Sequence, residues 1–317
     1  MKGHGIGRWI SPDVILVATD FLEGETFFLH AIYQARISKS RLILVHVMAP
    51  SSLRTEALDS APSFALNPEL RAAQLKLDEM VEEFRFDGVL CEPIALAGEP
   101  AKQISLLAKA RAVDRVILAA RSESRMARMV EASLADEVIA TIDVPVCIIG
   151  RHVPPPPSGG ASFSRILCAT SFHAGGLQAV RFACSLAELH HAHLTLLHVI
   201  ETEGMSRPKV QMARFAAHER LYASLPPGAR LSALPNFLIR EGDPASVILS
   251  ETLSRSQDLV ILGSHHIHMA PGLLTNRVIR RVIDGSQCPV ITVNSGPDAS
   301  AREIHELAST EKAAVHA

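Results

Sequence analysis

The sequence predicts an α/β protein built from two doubly wound, five-stranded parallel-sheet domains. Three observations predict it. Short, continuously apolar runs alternate with segments of helical period. The whole pattern occurs twice in the same order, and a proline-rich stretch separates the two occurrences.

In the first occurrence the apolar runs cover 14–19, 41–48, 89–96, 115–120 and 144–149. They are rich in Val, Ile and Leu without polar alternation, as expected of strands covered on both faces. Between them, ETFFLHAIYQARISK and EPAKQISLLAKARAV carry apolar residues at helical spacing. Strands that alternate with helices make right-handed βαβ units and a parallel sheet. The second occurrence repeats the first block by block. VILVATDF (14–21) returns as ILCATSF (166–172), and RLILVHVM (41–48) as HLTLLHVI (193–200). LAGEPAKQISLLAKARAVDRVILAA (96–120) returns as REGDPASVILSETLSRSQDLVILGS (240–264), and VPVCIIG (144–150) as CPVITVN (288–294). The spacing runs from 144 residues (Gly98 to Gly242) to 152 (His46 to His198), so this is a duplicated domain.

The expected organisation is a first domain at 12–150, a linker at 151–164, a second domain at 165–295 and a tail at 296–317. The linker RHVPPPPSGGASFS combines polyproline II stiffness with glycine freedom. The tail has helix formers but few apolar anchors.

Composition narrows the function. Hydrophobic residues make up 48% of the chain and aromatics only 4%, so the cores are aliphatic. A net charge of -2 gives no electrostatic reason to expect nucleic acid or an anionic membrane as partner. No apolar stretch reaches the ~18 residues of a membrane span, and MKGHGIGRWISPD has no signal-peptide h-region. The five cysteines are scattered without CxxC spacing and read as buried free thiols of a cytoplasmic protein.

Ligands of doubly wound sheets sit beyond the carboxyl ends of the strands, at the switch point, here after strands 1 and 4. At those places the sequence resembles the universal stress protein family, as a tandem member. The markers are VATD with Asp20, LVHV with His46, GEP at 98–100 and VPV at 144–146, then LLHV with His198, GDP at 242–244 and CPV at 288–290. The resemblance implies a Rossmann-like domain of the adenine nucleotide alpha hydrolase-like kind, with strand order 3-2-1-4-5. It also implies ATP or AMP as ligand, with the strand-1 Asp near the adenosine and a G-x2-G-x9-G-[ST] loop around the phosphates. Glycines let backbone N–H groups approach phosphate oxygens, and the helix that follows adds its positive N-terminal end.

Both loops depart from that pattern. In the first copy Ala119, Ser122 and Ala132 stand at the glycine positions, and Ser133 keeps the hydroxyl. Thr19, Asp20 and His46 complete the candidate site, with Arg121, Arg125 and Arg128 as possible cationic contacts. In the second copy Gly263 is kept, but His266, Asn276 and Arg277 replace the other glycines and the hydroxyl, and Ser171 replaces the aspartate. With His198 these form the weaker candidate, where Arg277 and Arg280 could hold a smaller anion. His46 and His198 end the second strands, where either a nucleotide contact or packing on the neighbouring loop fits.

Other chemistry is less well supported. His265, His266 and His268 share one loop at the carboxyl pole, while His190, His191 and His193 precede a strand at the amino pole. They cannot share a metal within one domain, so no metal is expected. HHIH stands in the wrong place for the HxGH of adenylyl-transferring enzymes, and the SGGxDS loop of ATP pyrophosphatases is missing. Ser171–Phe172–His173 lacks a nucleophile elbow and an acid partner.

The resulting expectation is a stress-adaptation protein that acts by binding and regulation, not by turnover, with its nucleotide site in the first domain. A slow ATP hydrolase or adenylyl-handling enzyme run by the first domain, and a nucleotide-independent partner-binding protein, are the alternatives. In the order 3-2-1-4-5 the fifth strand is an apolar edge in need of cover. Pairing of 144–150 with 288–294 inside one chain is therefore expected, and the resemblance implies a homodimer of whole chains.

Overall fold

The computed structural model describes residues 6–49, 67–86, 88–120, 134–157, 162–264 and 277–295. The chain divides into two compact units, Met1–Ser162 and Phe163–Ala317. Residues 158–161 of the linker and the tail 296–317 lie outside the described residues.

Unit 1 contains α1 (Ile6–Ile10), β1 (Val14–Ala18), α2 (Glu25–Ser38), β2 (Arg41–Met48) and α3 (Pro68–Phe86). It continues with β3 (Cys91–Ala97), α4 (Pro100–Ala110), β4 (Arg115–Ala119), α5 (Leu134–Thr141) and β5 (Val146–Ile149). The strands run parallel in the order β3-β2-β1-β4-β5. Unit 2 repeats the plan with β6 (Arg165–Ala169), α6 (Ala174–His190), β7 (His193–Ile200), α7 (Arg207–Ala223) and β8 (Asn236–Glu241). Then follow α8 (Pro244–Ser254), β9 (Leu259–Ser264), α9 (Arg277–Gly285) and β10 (Val290–Asn294). Its order is β8-β7-β6-β9-β10, again parallel. Each unit therefore has the expected 3-2-1-4-5 arrangement.

The apolar runs become strands because only a two-sided cover hides them. All five residues of β1 are buried, as are Ile166–Cys168 of β6. The duplication also preserves backbone strain. Among the described residues, six non-glycine positions have positive φ, and they fall into three equivalent pairs: Phe21 and Phe172, Lys39 and His191, Ala112 and Ser256. Lys39 and His191 close α2 and α6 in the left-handed conformation that usually selects glycine. The trace was copied while the side chains drifted.

The amino pole is pinned by one carboxylate in each unit. Asp114 accepts from the N–H groups of Asp13 (3.0 Å) and Val14 (3.2 Å), and Asp258 from those of Ser164 (2.7 Å) and Arg165 (3.1 Å). Unit 1 adds a strap that the sequence reading did not foresee. Arg115, fully buried, donates to the Trp9 carbonyl of α1 (2.7 Å) and to Gln34 Oε1 (3.2 Å). Gln34 donates in turn to Cys147 Sγ (3.2 Å), and burial pushes that thiol up to about 11.

At the carboxyl pole the units differ. The first turn of α6 lies directly on the end of β9, and a methyl on Gly175 would overlap the Ser264 carbonyl. A methyl on Gly263 would overlap the Gly175–Gly176 peptide. In unit 1 helix α2 begins later, after Gly24, whose missing Cβ would meet nothing, and Ala119 stands where Gly263 does. Gly263→Ala should therefore cost about 1–3 kcal/mol as an overpacking substitution, while Ala119→Gly costs under about 1 kcal/mol. Urea denaturation of both variants checks this, and equal small losses would contradict the close approach.

Candidate functional site

Each first strand ends in a buried threonine that organises the turn after it. Thr19 donates its N–H to Val45 O (2.9 Å), extending the ladder one step past β1. Its hydroxyl accepts from Phe21 N (2.9 Å) and donates to Glu23 Oε2 (2.6 Å). The other Glu23 oxygen accepts from Asp20 N (3.1 Å), and Asp20 Oδ1 accepts from Leu22 N (2.9 Å). These bonds hold Phe21 at φ 68°. A bulky residue with positive φ is a genuine outlier that its surroundings must enforce.

The Thr19 carbonyl has its own partner. His46 Nδ1 lies 2.8 Å from it. A carbonyl only accepts, so Nδ1 is the donor of this bond and Nε2 is the ring's other nitrogen. The Phe21 ring stacks on this imidazole with centroids 4.3 Å apart and planes 27° from parallel. Lys76 Nζ of α3 stands 4.3 Å from the Phe21 centroid. The imidazole fills one face of the ring, so the ammonium lies over the other.

Unit 2 repeats the arrangement. Thr170 N donates to Leu197 O (2.9 Å), Phe172 N donates to Thr170 Oγ1 (3.1 Å), and His198 Nδ1 lies 2.8 Å from Thr170 O. Phe172 packs on His198 at 4.4 Å and 34°, and Arg220 Cζ of α7 stands 4.3 Å from the Phe172 centroid. Both strand-end histidines thus pack on the neighbouring turn, the second of the two roles the sequence left open. Ser171, in the place of Asp20, is exposed.

The structure brings Thr19, Asp20, His46 and Ala119 together at the carboxyl pole of unit 1, and Ser171, His198 and Gly263 at that of unit 2. Ser122, Ala132, Ser133, His266 and Asn276 lie outside the described residues, as do Arg121, Arg125, Arg128, His265 and His268. The helices after the loops carry opposite charge. The first turn of α5 holds Asp136 and Glu137, whereas α9 opens on Arg277 and has no acidic residue in its first turn. Arg281, one turn on, is committed to Asp243 Oδ1 (2.6 Å), the N-cap of α8. At the floor of the unit 2 pole Ser264 Oγ donates to Asn294 Oδ1, and Ser264, Asn294 and Ser295 are all buried. His191 caps α6 at the opposite pole and His193 begins β7. Among the described residues no group of three or more His, Cys, Asp or Glu is placed to hold a metal.

Sequence reasoning missed Glu23, Lys76 and Arg220. Glu23 stands three residues after Asp20, the spacing at which a carboxylate reaches back to a backbone N–H, a signal within reach. The two cations come from helices tens of residues away and carry no motif.

Burial lowers the His198 pKa from its ordinary 6.5; the bond to Thr170 opposes this and Arg220 adds to it. The folded state therefore keeps His198 neutral where the unfolded chain already binds a proton. Its contribution is complete above pH 6.5 and declines as pH falls from 6.5 towards the lower folded pKa. In His198→Asn, the stability difference between pH 7.5 and pH 5.5 in urea denaturation should be smaller than in the parent. An unchanged difference would contradict the assignment.

The sequence model of the Universal stress protein family matches residues 12–150 and 162–294. Among curated proteins none matches the chain significantly. A universal stress protein of Archaeoglobus fulgidus is 17% identical over 91% of this chain and 98% of its own, with a TM-score of 0.66. A functionally unknown protein of Pseudomonas aeruginosa is 16% identical over 96% of this chain and 99% of its own, at 0.58. A shorter A. fulgidus universal stress protein, solved in complex with dAMP, is 21% identical over 43% of this chain and 95% of its own, at 0.32. At such identities the likeness is one of fold, and the family rests on the double match: the chain belongs to the universal stress protein family as a tandem of two such domains.

Proposed function

We propose that this protein acts by binding, as a cytoplasmic regulator in stress adaptation, and that unit 1 takes an adenine nucleotide, ATP or AMP, at its carboxyl pole. The observation that carries the reading is the difference between the two poles. Unit 1 keeps Asp20 beside a half-buried Phe21 and His46, and a Cβ on Gly24, just before α2, would meet nothing. In unit 2 the aspartate is an exposed serine, Phe172 is buried, and the first turn of α6 sits on Ser264.

Asp20, His46 and Lys76 suit a nucleoside carrying one or few phosphates: an acceptor, an imidazole Nε2 and a cation. Glu23 adds negative charge at the same turn, which favours a ligand of low charge over a polyanion. Ser133 is the proposed hydroxyl partner of the phosphates, with Ser122 and Ala132 as the small residues that let the chain approach them.

Binding is favoured over turnover because the carboxylates are spent on building this turn. Glu23 is held by the Thr19 hydroxyl and Asp20 N, and Asp20 Oδ1 by Leu22 N. A second reading rests on the arginine-led start of α9, where unit 2 takes a small anion through Arg277. Chain dimerisation, implied by the resemblance, belongs to the same proposal.

Calorimetric titration with ATP, ADP and AMP tests it. Binding should weaken by about tenfold, ~1.4 kcal/mol, in Asp20→Ala, persist in Ser171→Ala, and release no phosphate over hours. No heat with any nucleotide would favour the partner-binding alternative. Steady phosphate release lost in Ser133→Ala would favour the hydrolase.

A further inference from the structure

We infer that Phe21 is a stacking platform for the planar base of the ligand, and that Lys76 is a movable lid which leaves the ring for the ligand's phosphate. The inference deepens the nucleotide reading above and rests on it.

The turn that presents Phe21 is built at a cost. Its φ of 68° is strained for a side chain of that size, and the Thr19 hydroxyl must hold the Phe21 N–H to keep it there. Strain retained in both copies marks a ring that is put where the chain would not otherwise send it. One face of that ring is closed by His46 at 4.3 Å. The Lys76 ammonium stands over the other at 4.3 Å, and Lys76 is itself exposed. An ammonium over an exposed ring is held more weakly than a base stacked on it. Exchange of the ammonium for a base is therefore downhill, and it releases a cation beside the anionic end of the same ligand.

Unit 2 serves as the internal comparison. There Phe172 is 7% exposed, against the half-buried Phe21. The cation over it is the flat guanidinium of Arg220, which covers a ring face more completely than an ammonium does. Arg220 is exposed as Lys76 is, so the two turns differ in the ring itself, buried in unit 2 and half-buried in unit 1. Four features agree on a planar, anionic ligand of the nucleoside phosphate class: the enforced ring, the exposed side chain over it, the charge of that side chain and the neighbouring imidazole.

Adenosine and AMP, titrated separately against the full chain, read the two halves of the inference. Phe21→Leu should weaken both by about tenfold, as loss of one stacked base requires. Lys76→Met should weaken AMP by about fivefold or more while adenosine binds as well as before or better, since the lid is gone but the phosphate partner is too. Phe172→Leu should leave both unchanged. If Phe21→Leu is unstable, Lys76→Met alone decides, because that side chain is exposed. Equal effects of Lys76→Met on adenosine and AMP, or indifference of both ligands to Phe21→Leu, would overturn the platform and lid while leaving nucleotide binding in place. Failure of the parent protein to bind either ligand would overturn both readings together.

Discussion

At the end of each first strand, one buried threonine makes three backbone-directed bonds at once. Its N–H continues the sheet ladder, its carbonyl takes the proton of the strand-2 histidine, and its hydroxyl holds the N–H of the phenylalanine two residues on. The carboxyl pole of each unit hangs on this node. It turns the chain out of the sheet, forces the phenylalanine into the left-handed region and seats it on the imidazole. A threonine suits the task because its backbone belongs to the strand and its short hydroxyl reaches the turn that follows.

Duplication lets one copy interpret the other. The node, the stack and the cation over it survive in both units, although Lys76 has become Arg220 and the intervening sequence has diverged. The aspartate after the threonine survives in one unit only. Positions that keep strain in both copies have been held to their geometry, whereas positions that changed were free to change or changed in function. The poles also differ in packing: in unit 2 Gly175 and Gly176 of α6 lie against Gly263, with a buried Ser264–Asn294 pair beneath, whereas a Cβ on Gly24 of unit 1 would meet nothing.

Most of the fold was legible in the sequence, because continuous aliphatic runs can be hidden only between two helical layers and because every run had a counterpart. VILVA and RILCA announce first strands in either copy. The site was less legible. Asp20 and His46 sit at the ends of predicted strands and could be placed by position alone. Gly263 invited a phosphate-loop reading, yet its bare backbone is already required by helix packing, a contact between segments almost 90 residues apart. Lys76, Arg220 and the α1 strap on Arg115 likewise depend on tertiary approach between distant segments, which local periodicity does not encode. Glu23 was within reach, three residues after Asp20, whose N–H its carboxylate accepts.

The central claim is that the two poles have parted, with ligand binding kept by unit 1. Backbone amide shift mapping of the full chain during titration with AMP tests it most directly. The account predicts shifts concentrated at Thr19–Phe21, His46, Lys76 and Ala119, with Thr170–Phe172, His198, Arg220 and Gly263 unmoved. Shifts confined to the second group would contradict it.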